Sequence, residues 1–307
     1  MQSDTQCPVC GEQQGHASWP LAMLMWRAAA ADRRYTACGT LSATPSGWHA
    51  VTENRRGAAR LKILGDLMIN LLAATIGFTA GWLRLAIRRL VMLRRARRFW
   101  KPFMDGELRL ILAVFNEPDH VEWERSGVAG VGDVVALTEI ERHLRNIRLA
   151  DYEISYAHQL GGEQLRSNLV LIGGADSNRV TRKVMDRLPL TFVFSDPDQN
   201  DVAMLDRTTG EIRTPRTDKD VGLVSDQGIV VRAPNPFNGE RQILILAGSY
   251  GYGSTAAARL VTSSRFLRHP LARSRKNFEA LFTTEVFEHA PQEAVILQEI
   301  RELRDEH

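Results

Sequence analysis

The sequence predicts an α/β protein: a mainly parallel, Rossmann-like sheet with a β-hairpin insertion, preceded by a long helix that is first hydrophobic and then basic. Two segments carry the sheet. Residues 168–178 (NLVLIGGADSN) and 242–255 (QILILAGSYGYGST) each read as apolar strand, glycine-rich turn and helix start. Leu169–Ile172 and Ile243–Ala247 have the length and β-branched content of buried strands. Glycines then let the backbone turn sharply, and small or hydroxyl residues can cap a helix. A third observation carries the long helix: Leu67–Leu83 holds 17 residues without a charge.

In chain order, residues 1–60 read as irregular, because periodic stretches are few. Residues 61–101 read as one helix. Asp66 and Lys62 flank its uncharged stretch on one side. Arg84, Arg88, Arg89, Arg94, Arg95, Arg97, Arg98 and Lys101 follow on the other with no acid among them, and Trp82 and Trp100 suit interface depth. Pro102–Gly106 is a linker, and the α/β body fills 103–307. There Leu108–Phe115 is a strand, and Gly132-Asp133 opens a helix over Val134–Arg148. Strands follow at Tyr152–His158 and Asn168–Ile172, with a helix over Val180–Leu188 stopped by Pro189. Leu190–Phe194 is a strand, and Met204–Ile212 is a hairpin turning at Thr209-Gly210. Strands at Gly228–Ala233 and Ile243–Leu246 precede a small-residue helix over Ser254–Val261. A last strand at Phe278–Phe287 and a charged helix over Glu293–Arg304 complete the reading. Such alternation of strands and helices favours a parallel sheet.

Charge is unevenly distributed. Residues 1–101 carry 15 Lys and Arg against 5 Asp and Glu, a balance of +10, whereas the remainder carries 24 against 31, or −7. A basic arm on an acidic body is not the footprint of a nucleic-acid-binding enzyme and points to a membrane surface. The segment suits either a single span that leaves the body cytoplasmic or an amphipathic helix lying on anionic lipid, with a soluble helical arm as the alternative. Residues 1–15 are polar and show no signal peptide. Three cysteines exclude a disulfide framework. Cys7-Pro-Val-Cys10 has the form of a zinc knuckle, and Cys38 with His16 or His49 would complete a site. Tyr35 stands where a second knuckle needs cysteine, so bound zinc and an inert remnant both remain open.

The candidate ligand site follows from the turns. A strand–turn–helix junction points backbone N–H groups and the positive helix end at one spot, where an anion is stabilised. Gly173, Gly174, Asp176, Ser177 and Asn178 form one such turn; Gly248, Tyr250, Gly251, Tyr252, Gly253, Ser254 and Thr255 form the other. The aromatic rings suit stacking on a base. Gly132 and Asp133 are a third candidate, with Asp133 either a helix cap or a ribose ligand. Asn235, in the rigid PNPFN turn, suits reading a base edge or holding the turn itself. The alternative for every glycine is turn closure without a ligand.

No Walker loop, G-x-S-x-G or H-E-x-x-H occurs, and no cysteine lies in the body. Catalysis is therefore reduced to carboxylates, with Asp176 or Asp226 as a general base on an N-glycosidic bond.

The GGADSN turn, the second glycine-rich turn and the basic membrane-proximal helix together resemble the SLOG-type Rossmannoid domains, relatives of the cytokinin-activating LOG proteins. The similarity covers about residues 107–270. It implies a nucleotide-derived ligand and a role in bacterial stress or phage-defence signalling. LOG enzymes carry a P-G-G-x-G-T-x-x-E loop with a catalytic Glu. Residues 251–255 (GYGST) match only its G-x-G-[ST] portion and no Glu follows, so the resemblance implies binding rather than phosphoribohydrolase activity. A non-catalytic scaffold and a homo-oligomer both stay open.

Overall fold

A computed structural model describes residues 48–115, 127–195, 202–288, 290–292 and 295–303, with side chains from Lys62 onward. The proposed zinc ligands Cys7, Cys10 and Cys38 lie outside the described residues.

Helix α1 runs Trp48–Trp100, so helix begins within the segment read as irregular. It is long and apolar enough over Lys62–Phe103 to cross a membrane, and the best window of that stretch has no residue buried. The chain divides by contact within α1, into residues 1–74 and 75–307. In the first unit the described side chains, Lys62 to Ala74, are exposed.

The second unit holds the sheet. Strands β1 (Leu108–Leu112), β2 (Glu153–Tyr156) and β3 (Asn168–Ile172) alternate with helices α2 (Val131–Asn146) and α3 (Arg179–Met185). Strands β4 (Phe192–Phe194), β5 (Met204–Asp206) and β6 (Ile212–Arg213) form a separate antiparallel sheet that contains the expected hairpin. Then come β7 (Arg216–Asp218), β8 (Gly222–Asn235), β9 (Asn238–Gly248), α4 (Gly251–Thr262), a turn of helix α5 (Pro270–Arg273), β10 (Phe278–Phe287), β11 (Ala290–Pro291) and β12 (Ile296–Glu302).

The main sheet runs β11-β10-β8-β9-β3-β1-β2, with β7 beside β8 and β12 beside β10. Among the described residues only β2, β1, β3 and β9 pair in parallel. The expected mainly parallel sheet is thus half antiparallel. The cause is local: PNPFN joins β8 directly to β9 as a long hairpin, and β10 and β12 continue the antiparallel half.

The central strands are buried on both faces, as helix-covered strands must be. Leu108, Leu110, Leu112, Val170, Ile172, Leu244 and Leu246 face α2, α4 and the end of α1. Ile111, Leu169, Leu171, Ile243 and Ile245 face the opposite way, toward α3 and the small sheet.

Trp100, expected at interface depth, is instead fully buried. Its ring lies 5.5 Å from Phe99 and 5.4 Å from Phe103, while Phe99 packs at 6.1 Å on Phe266. The last turn of α1 is therefore core of the second unit. Trp82 is 65% exposed.

The helix expected over Glu293–Arg304 is also overturned: Ile296–Glu302 is strand β12, antiparallel to β10. Leu297 and Ile300 stand three apart, a spacing that reads as helical. A register shift opposite Leu281/Phe282 lets both face the same side of the sheet.

Candidate functional site

The two glycine turns meet at the carboxyl ends of the parallel strands and line one cavity of about 740 Å³, a volume within the range of small-molecule sites. Asp176 and Ser177 enter from the turn after β3, Gly248 to Tyr252 from the end of β9 and the start of α4, and Gly132 and Asp133 from the start of α2. Ser254 and Thr255 complete that wall. Residues that the sequence did not single out also contribute: Phe115, Val131, Val135, Ser249, Arg259 and Pro291.

Close packing explains the glycines. A Cβ on Gly132 would lie 2.0 Å from the carbonyl oxygen of Gly251, so α2 and α4 touch backbone to backbone at the cavity rim. Thr255 Oγ1 donates to Gly132 O at 2.9 Å and ties the same two helix starts together. Gly173 adopts φ +105°, a left-handed conformation that favours glycine, and a Cβ there would meet that of Ala113 at 2.4 Å.

Several expected ligand residues lie off the cavity wall and carry structural bonds. Asn178 is the N-cap of α3: its Oδ1 accepts from Val180 N at 3.0 Å and Thr181 N at 3.1 Å, and its amide donates to Ile172 O. It is buried and off the cavity wall, as are Gly173, Gly174 and Gly253. Asn235 sits at the opposite edge of the sheet. It donates to Leu165 O (2.7 Å) and Ser167 O (2.8 Å) and accepts from Phe237 N, so the base-edge reading is replaced by turn-holding. Ser254 does not start a helix, because α4 begins three residues earlier, at Gly251.

Asp226 changes the reading of the second turn. It is fully buried on β8, and its carboxyl accepts N–H groups from Gln227 (2.7 Å), Tyr250 (3.2 Å) and Gly253 (2.5 Å). The N-terminus of α4 is thus capped by an acid of the chain itself. Burial pushes this carboxyl up to about 7, against the three N–H donors that pull it down. Asp226 does not line the cavity, so it is not placed as a general base there.

Asp133 is the unusual group. The N-cap of α2 is Gly130, and Asp133 is the third helical residue, so it is not the expected cap. It is 4% exposed, lies on the cavity wall, and its Oδ1 has no hydrogen-bond partner. Ser254 supplies one hydrogen bond to the carboxyl. Burial, aided by the charge of Asp176, pushes Asp133 up to about 6, with the Ser254 bond opposing. Ser249 Oγ, also on the wall and 4% exposed, is likewise without a partner. Polar groups buried this deeply are normally paired, and each such exception in a native site needs an explanation.

Arg259 is the cation on the wall, and it donates to Pro291 O at 2.8 Å. Phe115, Tyr250 and Tyr252 supply aromatic surface. Among the described residues no cluster of three or more His, Cys, Asp or Glu side chains is arranged to hold a metal.

No protein-family model matches the chain, and no curated protein matches it.

Proposed function

We propose that the α/β body binds a nucleoside-type small molecule in the cavity between α2 and α4, and that α1 holds the protein at a membrane. The unpartnered, buried Asp133 Oδ1 on the cavity wall carries this reading. Leaving such an atom without a donor costs about 1–3 kcal/mol. A ligand hydroxyl or amino group removes that cost on binding. A ribose diol has two O–H donors, which suit Asp133 and Asp176 together. The rings of Tyr250, Tyr252 and Phe115 suit a flat base, and Arg259 suits a phosphate better than the start of α4, where Asp226 already takes the N–H groups of Tyr250 and Gly253. These features agree with the binding role implied by the SLOG resemblance.

Calorimetric titration of the full chain with nucleosides and nucleotides tests the proposal. Saturable binding that Asp133→Asn weakens at least tenfold supports it. Equal affinity in the wild type and the variant, or no binding across the panel, refutes it.

A second reading is favoured by the raised Asp133 pKa. A carboxyl raised to about 6 is protonated in mildly acidic solution and can there deliver its proton to a leaving base nitrogen as the C–N bond breaks, while Asp176 takes the proton of the attacking water. Chromatography of the titrated mixtures for free base and ribose separates hydrolysis from binding.

A further inference from the structure

A second concavity, of about 740 Å³, opens where α1 meets the body. Arg94, Arg97, Arg98 and Lys101 line it from α1. Arg148 adds a charge from the end of α2, and Arg273 and Arg275 add two more from the segment after α5. Three parts of the fold thus converge seven cations on one groove, and no acidic residue lines it. Among the described residues none of the seven has a carboxylate within the 4.0 Å that defines an ion pair. One cation is positioned from the body: Arg97 Nε donates to Ile147 O at 3.0 Å.

The backbone at Arg148 adds a second observation. Leu149 N returns to Leu144 O at 2.9 Å, which closes α2 and leaves Arg148 at φ 61°. Glycine or asparagine fills such a left-handed helix end more comfortably. An arginine there keeps a charge on the groove at a position where its backbone is disfavoured.

The height of the groove along α1 selects its occupant. Exposed apolar side chains continue along the helix from Ile63 to Val91, and past Leu83 they interleave with the exposed cations Arg84, Arg88 and Arg89. Met92 and Leu93 then turn to pack on the core of the body. Arg94 begins the groove about 4.5 Å beyond Val91, at a rise of about 1.5 Å per residue. A helix whose apolar and basic side chains interleave in this way lies in the headgroup layer, and the cations that follow within a turn of Val91 stand at that level.

We propose that this groove binds the headgroup of a membrane lipid that carries more than one phosphate. The inference rests on the membrane reading of α1 and is independent of the nucleoside cavity, which lies at the other end of α2. Each arginine near anionic lipid contributes a similar increment, and several arginines around one headgroup give selectivity over zwitterionic lipid.

Native mass spectrometry of the full chain in mild detergent, with defined lipids added, tests this. Wild type is expected to retain a bis-phosphate lipid of the cardiolipin type in preference to phosphatidylcholine. Replacing Arg148, Arg273 and Arg275 by Gln should weaken retention about a hundredfold. The control set Lys183→Gln, Arg207→Gln and Lys219→Gln removes the same charge elsewhere and should leave retention unchanged. If the triple groove variant fails to fold, Arg275→Gln alone should lower retention about fivefold. Groove variants that match the control set overturn the proposal. So does inorganic pyrophosphate that binds as tightly as the lipid, which marks a site for soluble anions. Failure of the membrane reading appears separately, as a chain that leaves vesicles of mixed phosphatidylcholine and phosphatidylglycerol for the aqueous phase once detergent is removed.

Discussion

Asp133→Asn should make the protein more stable at neutral pH while it impairs ligand binding. The Asp133 carboxyl sits near 6 in the fold, against 3.8 for an unperturbed aspartate. The folded state therefore holds the proton more tightly than the unfolded chain does. Stability from this group is fully present below about pH 4 and is lost as pH rises through about 6. At about pH 8 the ionised, buried carboxyl costs close to 3 kcal/mol, since each pKa unit corresponds to about 1.4 kcal/mol. Asparagine keeps the shape and an acceptor for Ser254 but removes the charge. It also forfeits the attraction between an acid and the first turn of α2, about 0.3–1 kcal/mol. The expected gain is about 2 kcal/mol at about pH 8, or roughly 4–8 °C in Tm for a body of this size, and it vanishes near pH 4. Thermal unfolding of both proteins across that pH window measures it. A variant less stable than wild type at about pH 8, or a difference that does not change with pH, refutes the assignment of Asp133 as a buried, under-solvated acid.

Asp226→Ala leaves the N–H groups of Tyr250, Gly253 and Gln227 without their acceptor. It should destabilise by about 2–3 kcal/mol near pH 5, and by less near pH 8, where the wild-type carboxyl ionises at its own cost; denaturant titration at both pH values decides this. Gly132→Ala drives a methyl group against Gly251 O and should cost about 1–3 kcal/mol, with ligand affinity lost in parallel because the cavity rim opens. Arg232 is buried and donates to the carbonyls of Leu271, Ala272, Ser274 and Lys276 beneath the rings of Phe99 and Phe278. Arg232→Met should lower stability by about 3 kcal/mol or more, read by chemical denaturation, because it strands four acceptors at once.

The strands that carry the site were legible because they are buried on both faces. An apolar run ending in glycine has few other uses, and Asn168–Ile172 matches its expected bounds residue for residue. Orientation was not legible. Ile243–Ala247 reads alike in a parallel or an antiparallel neighbourhood, and only the hairpin through Pro236 joins β8 to β9. The site was legible at its glycines and at Asp133, Asp176 and Ser177, since those residue types cluster at strand ends. Phe115 and Arg259 were not, because a lone phenylalanine or arginine carries no positional signal. For Arg259 one clue existed: it lies four residues after Thr255, on the same face of a helix whose other positions are mostly small.

Asp226 bears most directly on the ligand. A free helix start at Gly251 would have argued for a phosphate there, as the glycine-rich turn suggests. The chain instead supplies that anion from β8, 24 residues away in sequence, and buries it. Above about pH 7 a second anion at the same spot would face the ionised Asp226 in a low-dielectric setting, as well as Asp133 and Asp176 on the wall. The start of α2 is built alike, since Asp133 N and Val134 N turn back to Gly130 O as Gly253 N and Ser254 N turn back to Tyr250 O, but its acid, Asp133, keeps an unpartnered oxygen on the cavity wall. The polar demand of the cavity is thus for donors at Asp133 and Ser249 more than for an anion at α4. That asymmetry yields an order of affinity. Removing the ribose hydroxyls from a nucleotide should cost more than removing its phosphate, because the hydroxyls satisfy buried oxygens whereas the phosphate meets one arginine already bonded to Pro291 O. A titration in which the 2′,3′-dideoxynucleoside matches the parent nucleoside, while loss of phosphate abolishes binding, refutes this ordering.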